Sequence, residues 1–299
     1  MAERSSQIVL GIDPDPAALW PQADAPAGGA RAPSQAAGEA VRAHCRALID
    51  AAAPSCVAAK LQFARFEVLG PVGWAVLADV AAHARAQGLL VIADAKRGDI
   101  DVSAAAYAGA LLGGLDSPFG HLDGLGADMI TVNPLMGVDT LAPFVRAARV
   151  LGAGVLVLVR TSNPGAADFE DLELAGGARV WERVAAAVED LGSSAVGDSG
   201  LSDIGAVIGA TEPSHLERAR ELMGSAVFLL PGIGAQGGRV EDLAPAFAPG
   251  RAGGLVTASR SIANAHLQHG GAPADAARAE AERLREAAWE LSGRVLAPS

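Results

Sequence analysis

The sequence has little cysteine, no long apolar run and fewer positive than negative charges. Only Cys45 and Cys56 occur in 299 residues, which excludes a disulfide framework and favours a reducing compartment. The longest apolar run, at 155–159, is far too short to cross a bilayer, and the segment MAERSSQIVLG lacks the apolar core of a secretion signal. We therefore expect a soluble cytoplasmic protein that makes no contact with a membrane.

The charge balance limits the classes of partner. Lys and Arg together number 23 against 34 Asp and Glu, which gives a formal net charge of -11. Nucleic-acid backbones are bound by clustered positive charge, so we expect no nucleic-acid partner. A small anionic ligand is still compatible with this sequence, because a local pocket can be basic on an acidic protein. With 51% hydrophobic residues the chain can bury a large core.

Short aliphatic runs alternate with longer Ala-, Arg- and Glu-rich stretches along the whole chain, a pattern typical of βα units. Strands are predicted at 8–13, 56–62, 89–94, 127–132, 153–160, 204–209, 226–231 and 253–258. Helices are predicted at 35–52, 73–87, 100–112, 139–149, 178–190, 213–223, 238–247 and 272–292. Eight such pairs favour an α/β fold of the (β/α)8 TIM barrel type, with residues 1–299 as one domain, over a doubly wound sheet.

Four segments interrupt the alternation. Segment 21–34 is rich in Pro, Ala and Gly, and 113–126 has the glycines of an insertion before the fourth strand. Segments 162–177 and 192–203 are long loops, and loops of that length are often lids. We interpret all four as loop insertions in the barrel.

Polar residues follow the predicted strands, at the end of the barrel where such folds carry their chemistry. The sharpest group is the run Asp94-Ala95-Lys96-Arg97-Gly98-Asp99 after the third strand. Asp94 and Lys96 are two residues apart and should project to one side. Asp99 should lie in the first turn of the next helix, where the helix dipole favours a carboxylate. A surface salt bridge with a helix cap is the simpler alternative, and Arg97-Gly98-Asp99 also matches a cell-adhesion triplet.

A glycine-rich turn, Gly232-x-Gly234-x-x-Gly237, follows the seventh strand. It formally matches a dinucleotide fingerprint, but it comes after six βα units, which is the wrong place for a Rossmann domain. Glycines also let backbone N–H groups approach an anion at a helix N-terminus. Phosphate sites made by the last two loops are frequent in this fold, and Arg260 can add a bidentate contact. We therefore predict a phosphate site here, with a ligand-free tight turn as the alternative.

These residues in this order resemble the orotidine 5′-monophosphate decarboxylase family. The specific match is the motif D-x-K-x-x-D-I from Asp94 to Ile100. Supporting blocks are GIDPD (11–15), KLQFARFE (60–67), TVNPLMG (131–137), LVRTSNPG (158–165), LLPGIGAQGG (229–238) and SRSI (259–262). They span nearly the whole chain and are similar to the longer bacterial branch of the family.

The resemblance implies a role for each matching residue. Lys60, Asp94, Lys96 and Asp99 would form the charged catalytic network, with Asp99 reaching the partner's site across a homodimer interface. The substrate, orotidine 5′-monophosphate, and its product UMP would contact a further set: Asp13, Ile100, Ser103, Asn133, Ser162, Pro231, Gly234, Gln236, Gly237 and Arg260. Ser103 stands in place of an expected threonine and Ser259 in place of a glycine. No cofactor and no metal are expected.

Two other functions compete with this interpretation. One is a sugar-phosphate lyase or decarboxylase of the same barrel group, which shares D-x-K-x-x-D but uses Mg²⁺. Such enzymes carry an acidic residue at the end of the second strand, where this chain has Lys60, and a lysine there disfavours a metal. A non-catalytic nucleotide-phosphate binding protein would need the phosphate turn only. It would leave the lysines and aspartates unexplained, and buried charges are costly unless they pair.

Overall fold

The fold is a closed barrel of eight parallel strands. The structure is a computed structural model, and it describes residues 1–21, 32–210, 212–234 and 237–296. The ten strands are β1 Ile8–Ile12, β2 Ala58–Gln62, β3 Leu90–Arg97, β4 Leu115–Ser117, β5 Gly120–Leu122, β6 Met129–Val132, β7 Gly154–Arg160, β8 Ile204–Ile208, β9 Phe228–Leu230 and β10 Gly254–Ala258. The barrel follows the order β1-β2-β3-β6-β7-β8-β9-β10 and closes between β10 and β1. The predicted (β/α)8 class is confirmed.

Helices follow the barrel strands on the outside. They are α1 Pro33–Ala52, α2 Phe63–Glu67, α3 Pro71–Ala86, α4 Asp101–Leu111, α5 Ala142–Leu151, α6 Val180–Gly192, α7 Pro213–Leu222, α8 Arg260–Ala263, α9 Ala265–His269 and α10 Pro273–Val295. The predicted seventh helix, at 238–247, is a 3-10 helix, Val240–Phe247. Pro245 lies inside it and has no N–H to donate, which disfavours regular α-helical hydrogen bonding.

Two apolar layers explain why the strands are apolar on both faces. Inside the barrel, Val9, Ile92 and Leu229 belong to one buried cluster. Outside, a larger cluster packs the strands against the helices and includes Phe144 and Trp181. Both faces of the parallel sheet are therefore covered by apolar side chains.

The insertion at 113–126 folds into a small antiparallel ribbon, because β4 and β5 pair with each other and not with the barrel. The segment 21–34 lies mostly outside the described residues. Among the residues that are described, no helix is both long enough and apolar enough to cross a membrane.

Arg220 joins three elements on the outside of the barrel. Its guanidinium stacks 3.7 Å from the ring centroid of Phe228, and burial lowers its pKa to about 10. It donates to four backbone carbonyls at 2.8 to 3.2 Å, those of Met223, Ala226, Ala246 and Gly253. One side chain thus holds the end of α7, the start of β9 and the 3-10 helix together.

We expect Arg220→Met to lower the free energy of unfolding by about 3 kcal/mol, because buried carbonyls would lose their donor. Urea unfolding followed by circular dichroism measures this. Arg218→Met is the matched control, since Arg218 lies two residues away in the same helix but on its exposed side, paired with Glu182 and Glu221. Equal losses in the two variants would contradict the assignment.

Candidate active site

Asp94 is the centre of the candidate site. It lies on the inner face of β3 and is 6% exposed. Its Oδ2 accepts hydrogen bonds from Lys60 Nζ at 2.7 Å and Gln62 Nε2 at 3.3 Å. Its Oδ1 accepts from Lys96 Nζ at 2.5 Å and from Thr131 Oγ1 at 3.0 Å. Four donors therefore fix one carboxylate.

Lys60 is buried among acceptors. Its side chain is 6% exposed, and Nζ lies 2.7 Å from Asp94 and 3.7 Å from Asp13 Oδ1. Burial lowers the pKa of Lys60, but the two carboxylates outweigh burial and the net shift is upward. For Asp94, burial raises the pKa, but Lys60 and Lys96 outweigh it and bring the pKa down to about 2. Lys60 and Asp94 are consequently both charged near neutral pH.

Lys96 reaches this network through an irregular backbone. Its φ is +48°, and the pairing of β3 with β6 shifts register between Ala93 and Arg97. Its backbone N–H donates to Thr131 Oγ1 at 2.9 Å, which steadies the bulge. The side chain is 43% exposed, in contrast to Lys60. The expected contact with Asp94 is present, but it depends on a bulge and not on simple strand alternation.

A cavity of about 370 Å³ opens above the network at the carboxyl ends of the strands. Seven of the predicted site residues line it: Asp13, Lys60, Asp94, Lys96, Ser162, Pro231 and Arg260. Sequence reasoning did not assign a role to several polar residues that also contribute to the site, among them Gln62, Asn163 and Thr257 on the cavity wall and Thr131 beneath Asp94. A second cavity of about 360 Å³ adjoins the first and shares Asp13, Gln62, Ser259 and Arg260 with it.

A compositional signal would also have led to the network. Lysine and arginine together number 23 in the sequence, but only two of these residues are lysines, Lys60 and Lys96. Both lysines contact the same carboxylate. An ammonium is a compact donor that can lose and regain a proton, whereas arginine stays protonated. The two lysines therefore mark the place where chemistry, and not only ion pairing, is expected.

Six of the predicted site residues that the structure describes do not line this cavity in the single chain: Asp99, Ile100, Ser103, Asn133, Gly234 and Gly237. Asp99 precedes α4, which begins at Asp101, so its predicted place in the first helical turn is wrong. Its Oδ1 instead accepts the Ile100 N–H at 2.8 Å. The Ile100 side chain is 62% exposed.

The turn after β9 has the backbone that its glycines predict. Gly232, Gly234 and Gly237 all have a positive φ, which residues other than glycine rarely adopt. The amides of Gly234 and Gly237 donate within the turn, to the carbonyls of Gly238 and Gly234. The predicted contact of Gln236 lies outside the described residues.

Arg260 and the loop after β7 border the same cavity. The Arg260 side chain is exposed, and no described residue accepts a hydrogen bond from its guanidinium. Arg160 at the end of β7 holds Asp171 with two hydrogen bonds, of 3.0 and 2.8 Å. Thr161 N donates to Glu170 at 2.8 Å. The segment 162–177, predicted as a lid, is thus tied near its middle to the end of β7.

The barrel and its rim of lysines and carboxylates define the chain as a (β/α)8-barrel enzyme with a charged active site. Among known families, the match is specific: the chain belongs to the orotidine 5′-phosphate decarboxylase / HUMPS family, whose pattern covers residues 6–275. This confirms the family inferred from the motifs.

Individual relatives agree with the family match. Orotidine 5′-phosphate decarboxylase of Deinococcus radiodurans is 44% identical over 247 residues, 82% of this chain and 83% of that protein. The enzyme of that name from Rhodopirellula baltica is 42% identical over 74% of this chain and 72% of its own. The solved structure of Leishmania donovani OMP decarboxylase is 31% identical, with a TM-score of 0.70 over 99% of this chain and 97% of that one.

The charge of Asp94 should make stability depend on pH. Because its folded pKa of about 2 lies below the ordinary value of 3.8, the ionised carboxylate stabilises the fold above pH 4, and this contribution is lost as the pH falls toward 2. Asp94→Asn should lower the free energy of unfolding by about 2 kcal/mol at pH 7.

Urea unfolding of wild type and variant between pH 7 and pH 3 measures this difference, which should shrink at the acid end. Asp198→Asn, at an exposed loop carboxylate, is the control and should show little difference at any pH. If the difference in free energy of unfolding between wild type and Asp94→Asn stays constant down to pH 3, the ion pairs are not its cause.

Proposed function

We propose that the chain decarboxylates orotidine 5′-monophosphate to UMP and CO2, a step of pyrimidine synthesis, without a cofactor. It would do so as a single barrel domain in the cytoplasm. The observation that carries the proposal is the Lys60–Asp94–Lys96 network beneath an open cavity. Membership of the decarboxylase family and the names of the relatives support it.

The chemistry demands a positioned cation. When the bond between C6 and the carboxylate breaks, CO2 leaves and the electron pair remains at C6, in the plane of the pyrimidine ring. The ring π system does not overlap with that pair, so stabilisation must be electrostatic. Lys96 is the partly exposed ammonium at the cavity. We assign it to stabilise the developing charge and then to donate its proton to C6, after which water restores its charge.

Asp94 and Lys60 prepare Lys96 for this step. Asp94 orients the side chain of Lys96 by a hydrogen bond, and Lys60 helps to keep Asp94 ionised. A substrate carboxylate placed beside Asp94 would be repelled by it before the reaction. This repulsion would be lost as neutral CO2 leaves.

The remaining wall residues suit a nucleotide. In the proposal Arg260 binds the phosphate, since its guanidinium has no acceptor among the described residues. Gly234 and Gly237 shape the turn beside it, and Gln236 would add a contact. Asp13 Oδ1 is buried without a hydrogen bond from any described residue, and it would accept one from a ribose hydroxyl. Ser162 would read the edge of the pyrimidine, and Pro231 would pack against its ring.

We also propose that the active enzyme is a homodimer with shared sites. Asp99, Ile100, Ser103 and Asn133 would act in the partner's cavity, because they lie outside their own. Apolar side chains near them are exposed in the single chain, including Val102 at 78% and Leu135 at 87%. Such a surface is typical of an interface between copies.

Activity is measured directly by adding orotidine 5′-monophosphate with EDTA and following the pyrimidine absorbance. We expect turnover by the wild type, and a loss of about 10³-fold or more for Lys96→Ala, which removes both the charge and the proton. Thermal melts should show that the variant is folded. Turnover that requires Mg²⁺ would favour the sugar-phosphate lyase class, and UMP binding without turnover would favour a binding protein.

Shared sites predict complementation between two inactive variants. In a mixed dimer of Lys96→Ala and Asp99→Ala, one site has both native residues and the other has neither. After unfolding and refolding equal amounts together, about a quarter of wild-type activity should return, because half of the dimers are mixed and each has one working site. Refolded single variants are the controls. No recovery in the mixture would place Asp99 in its own chain's site.

A further inference from the structure

Thr257 is a polar residue in an apolar part of the barrel. It lies on β10, pairs in register with Val9 and is 4% exposed. It lines the active-site cavity together with three apolar side chains, Leu158, Val207 and Leu229. The residue therefore belongs to the inner wall of the cavity and not to the surface between barrel and helices.

The hydroxyl of Thr257 has no hydrogen-bond partner within the described chain. A buried hydroxyl without a partner is unfavourable, and valine has nearly the same shape without that cost. Thr131 provides the contrast: it too is buried in the barrel, but its hydroxyl binds both the Asp94 carboxylate and the Lys96 amide. Hydrogen bonds within the described chain therefore account for a hydroxyl at position 131 but not for one at position 257.

A second hydroxyl extends the same wall toward the rim. Ser259 lies two residues after Thr257, so both side chains face the barrel interior. Ser259 fits there because Gly11 on β1 has no side chain, and a Cβ at Gly11 would collide with the Ser259 hydroxyl. Arg260 follows at once. The cavity face of β10 thus presents two hydroxyls beneath the arginine that we assign to the phosphate.

We propose that Thr257 is a further substrate-positioning residue, whose hydroxyl hydrogen-bonds the sugar of the bound nucleotide directly or through one water. The sugar lies between the phosphate and the base, and β10 lies beside β1, which carries Asp13. The identity of the nucleotide rests on the proposed function. The contact would complete the wall that Asp13 and Arg260 begin.

The test compares Thr257→Val with Thr257→Ser, which keeps a hydroxyl. Because substrate and product share the sugar, Thr257→Val should weaken UMP binding about tenfold by calorimetry and raise KM by a similar factor, with a smaller change in kcat. Thr257→Ser should restore most of the affinity. The melting temperature of Thr257→Val should be equal to or above that of the wild type.

Ser6→Ala is the matched control, because the buried Ser6 hydroxyl has a partner, the Ser55 carbonyl at 2.7 Å, at the opposite end of the barrel. It should lower the melting temperature and leave UMP binding unchanged. Wild-type affinity and KM in Thr257→Val, or a fall in kcat alone, would overturn the inference. A wild type that neither binds UMP nor turns over the substrate would instead overturn the proposed function, and with it this contact.

Discussion

The attraction between Asp94 and two lysines is the interaction on which the site depends. Burial alone shifts the pKa of Lys60 and that of Asp94 toward the neutral form, and the charge of each residue opposes that shift in the other. A second lysine, Lys96, contacts the other oxygen of Asp94 and lines the cavity. The barrel therefore places lysine side chains where an anion can enter, in a protein of net charge -11.

Much of the fold and site could be predicted from the sequence. Two apolar layers make each strand nearly continuous in aliphatic residues, so eight runs such as 153–160 predict the barrel from the sequence. Parallel strands all end at the same rim, which brings together side chains as distant in sequence as Asp13 and Arg260. Topology alone predicts that convergence once the strands are identified.

The rest depends on geometry that periodicity does not encode. The left-handed backbone of Lys96 arises where the pairing of β3 with β6 shifts register. The hydrogen bond that steadies it is accepted by Thr131 on β6, which is 35 residues away in sequence. The segment Val240–Phe247 is a 3-10 helix because Pro245 lies inside it. The ribbon of β4 and β5 forms because these two strands of the insertion pair with each other. Thr131 and Thr257 share a residue type, and only their surroundings distinguish a hydroxyl with a partner from one without.

The concentration of lysine at the site has a consequence for covalent chemistry. On most proteins, reagents that acylate or form imines with amines react at many surface lysines. Here arginine supplies every other basic side chain apart from histidine, and Lys60 is buried beneath Asp94. Apart from the amino terminus, Lys96 is the amine that such a reagent meets first. Among the side chains, an ordinary amine-directed label is therefore directed to Lys96 at the candidate site.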